Sequence, residues 1–228
     1  MVKKRELNRA LALAKRLLSA NPNNEVLLNT LSIVYRRKGR FREAEVWAKK
    51  ALEIKKDFWA AHNNLARIYH DQGNLEGSID YYRWILEKNP DYIQARSNFA
   101  LALKSAGDFK GSLSEYRNLI KVTSSNIVRY HLGISLITLG IFMEGWGYYE
   151  YRWYADTNVN VQWPFDRDKM WKGEEGGELV LWREQGIGDD ILFLGLVPEA
   201  KRKVDKLSVY VDPRLVPLCE RSMHGIEF

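Results

Sequence analysis

Three stretches decide the fold: LSIVYRRKGRFREA (residues 31–44), LARIYHDQGNLEGS (65–78) and FALALKSAGDFKGS (99–112). They superimpose without a gap. Gly39, Gly73 and Gly107 stand 34 residues apart, and Gly140 follows 33 residues later. A fixed period of this length is the mark of stacked structural units, because each unit repeats the same turn and the same packing positions. Eight residues before each of the first three glycines comes a large apolar residue, Leu31, Leu65 or Phe99, and then a small one, Ser32, Ala66 or Ala100. Five residues after each comes another small one, Ala44, Ser78 or Ser112. Between them the apolar positions recur every three or four residues, which predicts amphipathic helices on either side of each glycine. The glycine marks the corner, where a positive φ disfavours any residue with a Cβ. Pro90 closes one unit, since it cannot continue a helix.

The small residues fall where two helices must approach, and the large ones where they interlock. Further along each second helix come Ala48, Tyr82 and Tyr116, then Ala51, Ile85 and Leu119. Ala10, Ala14, Leu17 and Pro22 fit the second helix of an earlier unit, so the chain is expected to begin inside a repeat.

This pattern resembles the tetratricopeptide repeat, with its 34-residue helix–turn–helix unit. The resemblance implies a mainly α fold, a right-handed α-α superhelix. Expected boundaries are a solenoid over 1–154, with a partial first repeat, full repeats near 25–58, 59–92 and 93–125, and an atypical last repeat over 126–154. It also implies a concave surface lined by the first helices that holds a protein or peptide. Carried over position by position, the groove residues are Asn29, Thr30, Ile33, Arg36 and Arg37; then Asn63, Asn64, Arg67 and His70; then Ser97, Asn98, Leu101 and Lys104. Asn64 and Asn98 share one slot, flanked in register by Thr30 and His131. An amide there can donate to and accept from a peptide backbone. The O-linked N-acetylglucosamine transferases are similar in carrying an asparagine ladder at that slot. The Lys-and-Asn clamp of chaperone-binding members is not recognisable.

After residue 140 the pattern decays in Gly145-Trp146-Gly147-Tyr148-Tyr149-Glu150-Tyr151-Arg152-Trp153-Tyr154, a stretch expected to cap the open end of the stack. A linker is expected over 155–176, including a loop from Asp156 to Asp168 with Trp163 inside it. Glu178–Trp182 reads as a strand, Gly186 and Gly188 as a Gly-rich turn running from Gln185 to Asp190, and Ile191–Lys203 as a helix. Leu207–Val211 reads as a second strand, Pro213–Met223 as a second helix, and Ile226–Phe228 as a strand beginning. Alternating strand and helix predicts the start of a parallel, Rossmann-like α/β segment over 177–228. The turn lacks the third glycine of a dinucleotide fingerprint, and Asp189 and Asp190 would repel a pyrophosphate there.

Trp171-Lys172-Gly173, Glu184-Gln185-Gly186-Ile187-Gly188-Asp189 and Asp212-Pro213-Arg214-Leu215-Val216-Pro217-Leu218 together resemble bacterial tetratricopeptide proteins that end in a glycosyltransferase-like domain. That domain is similar to heptosyltransferases and O-linked N-acetylglucosamine transferases. The resemblance implies Asp189 as the base that would deprotonate an acceptor hydroxyl; the residue-level alternative is a helix cap. Enzymes of this kind use two α/β domains, so a sugar nucleotide is expected only with a second domain. The segment reads as truncated, and the chain as a non-catalytic binding module. The second reading is the targeting half of a tetratricopeptide-containing glycosyltransferase.

Composition excludes several other classes. Cys219 is the only cysteine, and His62, His70, His131 and His224 are scattered, so neither an internal disulfide nor a metal site is expected, nor any cofactor. No apolar run approaches the roughly 20 residues of a membrane span. Lys3, Lys4 and Arg5 precede the apolar Leu11–Ala14, but Lys15 and Arg16 interrupt it, so the amino terminus reads as mature cytoplasmic sequence. The net charge of +6 is concentrated early: residues 1–56 hold 15 Lys/Arg against 5 Asp/Glu, and the remainder 20 against 24. With no nucleic-acid motif beside it, this excess reads as solvated helix faces rather than a nucleic-acid site.

Overall fold

The computed structural model describes residues 2–155, 169–183 and 186–228, and the chain divides into two compact units, residues 1–157 and 158–228. The first unit is a run of helices: α1 (Val2–Ala20), α2 (Glu25–Arg37), α3 (Phe41–Ile54), α4 (Trp59–Asp71), α5 (Leu75–Lys88), α6 (Ile93–Ser105), α7 (Phe109–Val122), α8 (Asn126–Thr138) and α9 (Phe142–Tyr149), then a 3-10 turn at Glu150–Trp153. Helices α2/α3, α4/α5, α6/α7 and α8/α9 are antiparallel pairs around the four glycine corners.

Those corners are equivalent. Gly39, Gly73, Gly107 and Gly140 have φ of 73°, 83°, 86° and 76°. In each, the amide after the glycine closes the same wide turn onto the first helix: Arg40 to Tyr35, Asn74 to Tyr69, Asp108 to Leu103 and Ile141 to Leu136, all at 2.9–3.0 Å. This is the Schellman arrangement, which satisfies carbonyls a helix end leaves open. Asn74 and Asp108 then cap the next helix, accepting from Gly77 N and Gly111 N.

The small positions sit where helices touch. Ser32, Ala66, Ala100, Ala44, Ser78 and Ser112 are fully buried. Ser32 Oγ donates to the Ala44 carbonyl at 2.6 Å, and Ser78 Oγ to the Ala66 carbonyl at 2.9 Å, so the pairing runs both ways between the two small positions. Around them Leu31, Ile68, Tyr82, Ile85, Tyr116, Leu119, Leu132 and Leu136 are at most 1% exposed. At about 1.5–3 kcal/mol for each fully buried side chain, this layer supplies the stack's main stabilisation. Each core cluster draws on helices from adjacent pairs, as a solenoid requires.

The stretch expected to cap the stack covers its end in part, with Tyr148 to Trp153 half-buried. Tyr148 packs against the last cluster. Phe142, Met143 and Trp146 remain 56%, 92% and 47% exposed. Helix α9 is only eight residues long, so its apolar residues outrun the surface available to cover them.

The second unit contains β1 (Glu178–Trp182), α10 (Ile187–Leu194), α11 (Val197–Lys203), β2 (Lys206–Tyr210) and α12 (Val216–Ser222). β1 and β2 are parallel, Glu178 pairing with Lys206 and Trp182 with Tyr210. The third expected strand is one parallel bridge, Ser208 to Glu227. The helix expected over Ile191–Lys203 is instead two, broken at Gly195 and Leu196, because Pro198 lies in the first turn of α11 where it needs no amide partner. The Gly-rich turn is shorter than expected. Asp189 accepts from Gly186 N at 3.1 Å, so helix α10 begins at Ile187 and Gly188 is already helical. Helix α12 begins at Val216 rather than Pro213, because Asp212 Oδ1 captures Arg214 N at 3.1 Å and holds that segment as a turn. The expected loop at 156–168, with Trp163, and Glu184 and Gln185 lie outside the described residues.

Candidate functional site

The first helices α2, α4 and α6 contact one another in sequence and form one layer of the solenoid. The polar residues expected on that layer are brought into register, but most do not stand free. Asn64 is 4% exposed, and its Nδ2 donates to Asn29 Oδ1 at 3.2 Å and to Ser32 Oγ at 2.7 Å. Asn98, half-buried, donates from Nδ2 to Asn63 Oδ1 at 2.9 Å. Arg36 donates to Asp71 Oδ2 at 2.5 Å, and His70 Nε2 pairs with Ser105 Oγ at 2.9 Å. Four of these five links join residues 35 apart, one more than the repeat, because a side chain reaches across to the neighbouring helix and one position along it; the fifth, Asn64 to Ser32, spans 32. They stitch α2 to α4 and α4 to α6. The expected ladder at Asn64 is therefore a structural seam: its amide protons are committed to Asn29 and Ser32.

The remaining candidates are distributed as follows. Thr30 is exposed and bonds back to the Val26 carbonyl at 2.8 Å; Arg37 is exposed; Ile33, Ser97 and Leu101 are half-buried. Arg67 and Lys104 are half-buried, and neither forms an ion pair or side-chain hydrogen bond among the described residues. Burial, then the adjacent Arg36, lowers the Arg67 guanidinium from its ordinary value, and burial lowers Lys104. His131, in register with Asn98, stacks on Tyr116 at 5.8 Å, and burial and then Lys104 hold it below the usual imidazole range. What the layer offers a ligand is donors and cations alongside the half-buried Ile33 and Leu101, with the carboxylate Asp71 beside Arg36.

Sequence reading missed Asp71 and Tyr82. Tyr82 Oη is buried without a hydrogen-bond partner, as is Arg36 Nε. Burial raises the phenol well above its ordinary value, against the lowering pull of Arg67 and Arg36. The signal for Asp71 was the 35-residue offset from Arg36; for Tyr82 the sequence carries only a packing position.

In the second unit the carboxyl ends of the parallel strands carry a compact ion network. Arg183 Nη1 donates to Asp212 Oδ2 at 2.9 Å and its Nε lies 3.4 Å from Asp190 Oδ2, which accepts from Asp212 N at 2.9 Å. Arg214 grips Asp212 at 2.8 and 3.0 Å. Asp189, half-buried, is the cap of α10 and takes no part in it. The Arg214 side chain and amide, and then Arg183, hold the Asp212 carboxyl far below the usual range. A depressed folded value contributes stability above the unfolded value of about 3.9 and is lost as pH falls through and below it. Acidification below about pH 4 is therefore expected to lower the amide-exchange protection of Glu178–Trp182 and Lys206–Tyr210, measured against the intrinsic rate at each pH. Asp212→Asn should flatten that dependence; a variant with the same acid profile would show that the network does not set it.

Among the described residues no group of His, Cys, Asp and Glu could hold a metal, and no helix is long and apolar enough to cross a membrane. Residues 26–57 and 59–92 each match a family profile described as tetratricopeptide repeat. Protein FlbA of Caulobacter vibrioides is 31% identical over 97 residues, 40% of this chain; the chain spans only 16% of that relative's length. Among solved structures, TTC0263, a thermophilic TPR protein of Thermus thermophilus, superimposes with a TM-score of 0.59 at 17% identity, covering 68% of this chain and 87% of that one. MamA superimposes with a TM-score of 0.51 at 20% identity, covering 67% and 90%. These likenesses show the fold of the repeats.

Proposed function

From a chain that carries tetratricopeptide repeats, we propose a protein- or peptide-binding scaffold whose groove is the layer of α2, α4 and α6, with no catalytic role in that unit. The observation that supports this reading is the layer itself. Three first helices are linked in register by 35-residue side-chain hydrogen bonds, with half-buried donors among them. A rigid, pre-formed polar surface of this kind loses little entropy when it orders an extended chain. Asn98 is the amide exposed enough to meet a peptide backbone, while Asn64 keeps its neighbour in place.

An array of extended peptides probed with the full chain tests this. Peptide binding should weaken about tenfold when Asn64 and Asn98 are both changed to alanine, the loss expected of one or two hydrogen bonds at roughly 0.5–1.5 kcal/mol each. Asn98→Ala alone should give most of the loss without lowering thermal stability as far as Asn64→Ala does. Peptides bound with unchanged affinity by both variants would overturn the groove assignment.

The glycosyltransferase reading is supported by one observation, the parallel β1–β2 pair joined through helices. On that reading the chain would be the targeting half of such an enzyme, its substrate a protein or glycan, with Asp189 as base. The geometry of Asp189 favours the other role, since its carboxylate closes the amino terminus of α10.

A further inference from the structure

Resting on the groove reading, we infer that this groove selects acidic peptides, with Arg67 and Lys104 each receiving a carboxylate side chain. Arg67 on α4 and Lys104 on the next first helix, α6, are half-buried cations with no ion pair among the described residues; the carboxylate that acts on Arg67 is Asp71, four residues along its own helix. Beside Arg67 stand Arg36 and Arg37, and the carboxylate set against these three cations is Asp71, already held by Arg36 at 2.5 Å. Two polar atoms in the same field, Arg36 Nε and Tyr82 Oη, are buried and unsatisfied. Half-burying a cation without a counterion is unfavourable, and crowding it against a second cation more so. An incoming carboxylate relieves both, and in a partly desolvated trough it does so more strongly than on an open surface.

Spacing specifies the peptide further. Adjacent packed helices lie about 8–10 Å apart. Lys104 is three residues beyond Leu101, the register partner of Arg67, which adds roughly 4.5 Å along the helix at about 1.5 Å per residue. The two cations are therefore about one turn of a polyproline II chain apart, three residues at ~3.1 Å each, a geometry that returns every third side chain to the same face. Carboxylates at every third position match. A single-stranded nucleic acid fits less well, because Leu101 and Asn98, on the same helix as Lys104, give bases no ring to stack on.

The test is fluorescence anisotropy on the full chain at about 150 mM salt, using a labelled Glu-Ser-Ser repeat peptide and its Gln-Ser-Ser counterpart of equal length. The glutamate peptide should bind at least about tenfold more tightly. Arg67→Gln and Lys104→Gln should each weaken it about five- to tenfold while changing the glutamine peptide less than about twofold, with thermal melts reporting the fold of each variant. Equal affinity for the two peptides, or glutamate binding that both substitutions leave intact, overturns the selection while leaving the groove reading standing. Failure of both peptides, when array peptides do bind, overturns the selection as well. Displacement of the glutamate peptide by oligothymidylate at matched charge concentration would overturn it in favour of nucleic acid.

Discussion

Truncating Tyr82 to alanine is expected to cost about 3–5 kcal/mol and to split the unfolding of the repeat unit into two transitions. Tyr82 is 1% exposed on α5, and its ring lies 6.5 Å from that of Phe99 on α6, so it is the wedge between one helix pair and the next. It shares a cluster with Ala66, Ile79, Ile85, Ala95, Ala102 and Leu103, drawn from both pairs. In a solenoid, stability is the sum of each repeat and its contacts with immediate neighbours, with no long-range contacts to compensate a lost junction. Emptying this one should let α6–α9 melt independently of α1–α5. Urea melts followed by circular dichroism, with amide exchange reporting which helices open first, would show it; a single transition displaced as a whole would contradict it. Tyr82→Phe makes the contrast. It keeps the ring and removes a hydroxyl with no partner, so it should be neutral or stabilise by up to about 1 kcal/mol.

Much of this architecture was readable in the sequence because its determinants are local. A glycine with positive φ, a small residue at a helix crossing and a cap such as Asp108 each act within a few residues, and the period repeats them. The same locality explains the errors in the second unit. Ile191–Lys203 is apolar and charged at helical spacing throughout, so nothing short of Pro198 taking a first-turn position reveals that α10 and α11 are separate. The start of α10 depended on whether the Asp189 carboxylate turned back to Gly186 N, which residue types alone do not decide.

The groove was legible in position but not in availability. Asn64 reads as a polar residue on a first helix, and it is one. Only the neighbouring helix, supplying Asn29 Oδ1 and Ser32 Oγ, converts it into a buried seam. Arg36 was expected to face a ligand and instead faces Asp71. Arg67 and Lys104 became the informative residues because they were left over after those pairings, and a remainder of that kind exists only once the helices are side by side.

The last repeat carries the second large effect. Gly133 occupies the slot of Ser32, Ala66 and Ala100, and the glycine is required there because α8 and α9 cross more closely than the other pairs. A Cβ at this position would stand 2.5 Å from Tyr149 N and 2.8 Å from Tyr148 C, both backbone atoms that no rotamer change can move aside. Gly133→Ala should gain up to about 1 kcal/mol of helix propensity, yet forcing the two backbones apart costs typically about 1–3 kcal/mol and sometimes more, so the net effect is destabilising. The loss should be local, appearing as faster amide exchange in α8 and α9 while α2–α5 keep their protection. Gly147→Ala is the matched control. It lies in the facing helix, α9, with nothing within 4 Å of its added Cβ, so it should stabilise α9 by roughly 0.5–1 kcal/mol. If the two alanine variants shifted stability in the same direction, helix propensity rather than the closeness of the α8–α9 crossing would govern this end of the stack.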